Sequence, residues 1–146
     1  INGNGSIVVG GNSTQAAVWS GTNWAKKTIL GTLSDNSYPG YALPAFDVNG
    51  DGSVVVGRTF NDTHDTRAVV WHGNNWENKI DLGTLKSSNS GDSEARAVSR
   101  DGKIIAGFAE VDNTGGYHAT VWSGNNWANK TDLGALTDFP DQSSEA

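Results

Sequence analysis

Trp24, Trp76 and Trp127 each end a Gly-x-Asn-Trp segment. An indole just after a turn can stack on the apolar face of a sugar ring, as the tryptophans of propeller lectins do, or it can clamp its own hairpin shut. A second set, Trp19, Trp71 and Trp122, follows Val18, Val70 and Val121. That setting suits packing between sheets, where burying an indole is worth roughly 2–3 kcal/mol. Asp47, Asn49 and Asp51 stand before Gly52 as D-x-N-x-D-G, half of a calcium loop. The twelfth position of that loop is Arg58 and not Glu, so a full EF-hand fails, which leaves a weak calcium site or an Asx-rich turn. The equivalent segments offer only Asn2 with Asn4, and Ser99 with Asp101. His64, His72 and His118 share no spacing that suits a metal triad. Asp81 and Asp132 precede Leu-Gly and are expected to bond to the backbone at a turn. The chain has no Cys, which excludes disulfides, thiolate metal sites and Cys nucleophiles. Neither a Ser-His-Asp arrangement nor a phosphate-binding loop is present.

The elements that must position these residues follow from internal repetition. Three segments, starting at Ile1, Val48 and Val98, align over their whole length, with starts 47 and 50 residues apart. Gly10, Gly57 and Gly107 coincide in the alignment, as do Leu33, Leu85 and Leu136 and both tryptophan sets. These positions form the expected structural core of the repeat. In the second segment, Ala45 to Val48 reads as a short strand before the Asn49-Gly50-Asp51-Gly52 turn. Ser53 to Thr59 reads as a second strand, Arg67 to Trp71 as a third, and Trp76 to Leu85 as containing a fourth. No window sustains a helical period. Four short strands per unit of about 50 residues predict an all-β chain, a β-propeller-type array of three four-stranded blades. The units are residues 1–47, 48–97 and 98–146. The first unit starts after its first strand, and the chain ends in Ser-Glu-Ala, matching Ser93-Glu94-Ala95. Three blades are too few for a ring, so the expectation is part of a larger ring, array or assembly. In this reading a C-terminal strand, Gln142 to Ala146, pairs head to tail with another copy or with the next repeats of a longer chain.

Composition narrows the partners. Ten Lys and Arg against 16 Asp and Glu leave a net charge of −6 in 146 residues. Phosphate backbones and anionic membranes select clustered cations, which this chain lacks. With 19 Gly and many Asn, Ser and Thr, the chain is rich in turn formers. No apolar run is long enough to cross a bilayer as a helix.

The segments VNGDGSVVVG, AVVW and DLGTL in the second unit, and VSRDGKIIAG and YHATVW in the third, resemble the HAF family of extracellular repeats. The resemblance spans all three units. The first unit departs from it at Ile29, where the others have Asp81 and Asp132, and at Gly3 and Asn4. The resemblance implies a bacterial secreted or cell-surface setting, including autotransporter passengers, and it brings no catalytic residues. The function expected is therefore a non-enzymatic surface module: a scaffold, an assembly unit or an adhesin. A carbohydrate-binding propeller using Trp24, Trp76 and Trp127 is the first rival, and an enzyme with a pocket on the propeller axis is the second. No cofactor is expected beyond the weak calcium option at Asp47, Asn49 and Asp51.

Overall fold

The computed structural model describes residues 1–12, 14–34, 44–112 and 116–135. Leu136, the Gln142 to Ala146 segment and part of the loop before Ala45 fall outside the described residues.

Among the described residues, eleven strands form three antiparallel sheets. Sheet 1 contains β1 (Val8–Gly11), β2 (Ala16–Ser20) and β3 (Lys26–Ile29). Sheet 2 contains β4 (Ala45–Val48), β5 (Val55–Phe60), β6 (Thr66–His72) and β7 (Asn78–Asp81). Sheet 3 contains β8 (Ser93–Val98), β9 (Ile105–Glu110), β10 (Tyr117–Ser123) and β11 (Asn129–Asp132). Each sheet is an up-and-down meander in which sequence neighbours pair, and the sheets do not close into a barrel. β-Branched runs such as Val54-Val55-Val56 favour extended backbone, and short Gly- and Asn-rich turns join the strands.

Several differences from the sequence expectation concern boundaries. The second strand of sheet 2 starts at Val55 and not at Ser53, and the second and third strands reach further than expected at the loop end, because Phe60 and Thr66 pair across it. The fourth strand stops at Asp81 and does not reach Leu85. Asp81 Oδ1 accepts the amide of Gly83 at 2.7 Å, and Gly83 takes a positive φ of 72°, which turns the chain out of the sheet. Asp132 and Gly134 repeat this stop, also at 2.7 Å.

The core is two apolar layers, one in each gap between sheets. Val18 and Leu30 of sheet 1 meet Val55, Val69 and Trp71 of sheet 2. Val56, Val70 and Leu82 on the other side of sheet 2 meet Ile105 and Trp122 of sheet 3. Sheet 2 is therefore apolar on both faces, which explains why its central strands read as continuous apolar runs and not as alternation.

Gly57 and Gly107 lie in strand interiors where a side chain would have no room. A Cβ on Gly57 would press on Pro44 O and on the Trp71 ring, and one on Gly107 would run into Glu94 O. The first strand of each of these two sheets bulges at this point, between Ala45 and Asp47 and between Ala95 and Ala97. A glycine lets the bulged backbone approach. Gly10 has only the Trp19 ring at 3.6 Å, an ordinary contact.

Candidate functional site

The Gly-x-Asn-Trp turns are built on left-handed backbone. Asn75 and Trp76 have φ of 56° and 58°, and Asn23 with Trp24 and Asn126 with Trp127 repeat the pair. Consecutive left-handed residues make the tight hairpin turn usually filled by Asn-Gly. A tryptophan there costs roughly 1–2 kcal/mol of steric strain. What offsets the cost is where the indole lands. Trp76 Nε1 donates to Gly52 O at 2.9 Å, Trp24 to Gly5 O at 3.0 Å and Trp127 to Gly102 O at 2.9 Å. Each indole thus ties its own turn to the turn between the first two strand positions of its repeat. Trp76 and Trp127 also pack against the apolar layers, whereas Trp24 remains 47% exposed.

The second tryptophan set works between sheets. Trp71 and Trp122 are 1% and 0% exposed. Their indoles cross to the preceding sheet, Trp71 to Gly31 O at 2.7 Å and Trp122 to Leu82 O at 3.0 Å. Trp19 departs from the shared core expected of the set: it is only half-buried, because no described sheet covers that side of sheet 1. Leu33 and Leu85 are half-buried and pack against the two layers.

Asp47, Asn49 and Asp51 each accept backbone amides. Asp47 Oδ1 accepts its neighbour's amide, from Val48 at 2.8 Å, and Oδ2 accepts the amide of Val98 on sheet 3 at 2.9 Å. Asn49 Oδ1 accepts the Val54 amide at 3.0 Å. Asp51 Oδ1 takes both the amide and the hydroxyl of Ser53. The Ser53 hydroxyl, then its amide, hold the Asp51 carboxyl below the usual carboxylate range. Asn2 with Ile7 and Ser99 with Ile104 bond the same way in the equivalent turns. Among the described residues no group of three His, Asp or Glu is placed to hold a metal.

The histidines occupy three unrelated settings. His64 sits exposed in the turn after β5. His72 meets Trp127 edge-on, with ring centroids 5.9 Å apart. His118 Nδ1 lies 2.9 Å from Asp132 Oδ1. That last pair occupies the register of Arg67 and Asp81 in sheet 2, where Arg67 is 1% exposed and also donates to the carbonyls of Asn89 and Gly91.

One charged cluster was not anticipated from the sequence. A cleft of about 240 Å³ opens between sheets 2 and 3, lined by Arg58, Thr66, Asp92, Glu94, Phe108 and Tyr117. Glu94 is 1% exposed and is held by Arg58 and Arg96 together. The two guanidinium groups flank Phe46 at 5.8 and 5.4 Å, and Arg96 also lies 5.5 Å from Phe108. Asp92 accepts the Thr66 amide at 2.8 Å and the Tyr117 hydroxyl at 3.4 Å. Burial first, then the charges of Asp92 and Glu110, push the Tyr117 phenol up. The signal was a swap: the second unit carries Phe46 and Arg58 where the third carries Arg96 and Phe108. The fold closes that swap into a chain of alternating cations and rings around one buried acid. Such a chain neutralises the carboxylate and braces two sheets.

Comparison with protein-family models, with curated proteins and with solved structures gives no match.

Proposed function

We propose that the chain is a non-enzymatic repeat module, a scaffold, assembly unit or adhesin of the extracellular or cell-surface kind, built as consecutive blades of a β-propeller-type array. The HAF-like segments supply the setting. The observation that carries the reading is how the repeated polar groups are employed. Several equivalent side chains in the described repeats play equivalent mechanical roles. The turn tryptophan of every unit binds a turn glycine, and the strand tryptophan of sheets 2 and 3 binds the preceding sheet. Groups that could serve chemistry are taken up by folding. The carboxylates of Asp47 and Asp51 hold backbone amides, and Glu94 is enclosed by two arginines.

The glycan-binding rival keeps one supporting observation, the 47% exposure of Trp24. A glycan array probed with the intact chain distinguishes the two. The scaffold reading expects no glycan retained above background, and a Trp76→Phe chain that melts lower through loss of the indole bond. Retention of a defined glycan that disappears with Trp24→Ala would establish the lectin reading instead.

A further inference from the structure

We infer that the outer face of sheet 3 in one copy of this chain docks on the outer face of sheet 1 in a second copy, repeating the contact that joins the sheets within the chain. The inference rests on the repeat-module reading and adds the partner and the residues.

The two inner gaps give the template. In both, a forward face carrying a leucine and valines meets a backward face carrying a strand tryptophan. Two forward residues of sheet 3, Ile104 and Leu133, are the counterparts of buried ones elsewhere, yet they lie open. Leu30 and Leu82 are 5% and 3% exposed, whereas Leu133 in the same register is 57% exposed. Val54 is 9% exposed and its counterpart Ile104 is 50%. The backward face of sheet 1 is the missing complement. Trp19 is half-buried where Trp71 and Trp122 are covered, and Ile29 is 43% exposed. Ile29 also replaces the acids Asp81 and Asp132, which makes this face more apolar than its two counterparts. Gln15, Ala17, Trp19, Lys27 and Ile29 line a shallow hollow of about 140 Å³ there.

The polar groups match as well. Trp122 Nε1 and Lys130 Nζ donate across the inner gap to the carbonyls of Leu82 and Thr84, at 3.0 and 2.9 Å. Trp71 and Lys79 do the same to Gly31 and Thr32. Trp19 and Lys27 carry the same donors with no acceptor among the described residues, and Leu133 and Ala135 present carbonyls in the accepting register. A backbone ladder also runs from sheet to sheet: Gly3 N to Gly50 O at 3.1 Å, and Gly50 N to Arg100 O at 2.9 Å. Its two ends, Arg100 N and Gly3 O, can join between copies. The two faces differ, so the contact is heterologous, head to tail, closing a ring or propagating according to the rotation.

Sedimentation velocity of the intact chain across the micromolar range tests the inference. The wild-type chain is expected to associate reversibly. Leu133→Arg and Ile29→Arg change exposed positions on opposite faces, so each is expected to keep its circular dichroism melt and to sediment as a monomer. Each variant retains one good face, so mixing the two should restore a 1:1 dimer that grows no further. Should either arginine unfold the chain, Trp19→Phe with Lys27→Met removes only the two donors and should weaken association several-fold. A wild-type chain that stays monomeric throughout, association indifferent to these variants, or variants that remain monomeric when mixed would each overturn the inference. None of these outcomes bears on the glycan array, so the module reading stands or falls separately.

Discussion

At the scale of single residues, equivalent positions carry unequal energies because their surroundings differ. Trp71 is enclosed between sheets and hydrogen-bonded to the preceding one, whereas no described sheet covers the face of sheet 1 that carries Trp19. Trp71→Ala is expected to cost about 3–5 kcal/mol through lost burial and an unfilled cavity. Trp19→Ala should cost less than half as much, and urea unfolding of both variants checks the ratio. The repeated strand glycines divide in the same way. Gly107→Ala forces a methyl group against Glu94 O at the bulge and should cost about 1–3 kcal/mol or more. Gly10→Ala places its methyl group at ordinary contact distance from the Trp19 ring and should leave the same unfolding curve nearly unchanged. Sequence alignment alone would rank the three glycines alike.

At the scale of elements, the side chains of Asp47, Asn49 and Asp51 hold backbone amides around one turn. The three side chains cap β4, its turn and the neighbouring β8. Removing the Asp47 carboxylate leaves the part-buried amide of Val98 without its acceptor, which costs about 1–3 kcal/mol. Asp47→Ala is thus expected to lower the melting temperature, with or without chelator. EDTA alone should leave the wild-type melt unmoved. A fall on chelation that Asp51→Ala abolishes would establish the calcium reading. The tryptophan turns belong to the same scale. Asn75 and Trp76 accept local strain to aim an indole that a glycine at position 76 could not supply.

At the scale of the whole molecule, acid sensitivity follows from several carboxylates acting together. The hydroxyls of Ser53 and Ser99 hold Asp51 and Asp101 below the usual range, and the Ser87 amide does so for Asp112. For Asp65 and Asp132 burial acts in the opposite direction. Thr63 and Asn61 outweigh it at Asp65, and His118 and the Gly134 amide outweigh it at Asp132. Each group prefers to be ionised in the folded chain. Its contribution is therefore complete above the unfolded value of about 3.9 and is lost as pH falls through the lower folded value. Melting temperatures between pH 7 and pH 2 should hold until about pH 4 and then decline. A melting temperature that instead rises on acidification below pH 4 would contradict these assignments.

The strand content and the turns were legible in the chain itself, because they rest on local properties. β-Branched runs favour extended backbone, Gly and Asn supply left-handed turns, and self-alignment places these signals three times. β4 was readable to its ends, since Pro44 and Asn49 punctuate it. What each repeated side chain does depended on neighbours distant in sequence. Nothing near Trp19 in the chain distinguishes it from Trp71; the presence of a covering sheet does, and that is a property of packing. Glu94 is separated from Arg96 by Ala95 alone but lies 36 residues from Arg58, and only the meeting of sheets 2 and 3 closes two guanidinium groups around it. The contrast between buried Leu82 and open Leu133 likewise came from tertiary structure, because burial is decided by what stands opposite a side chain and not by the residue's own identity.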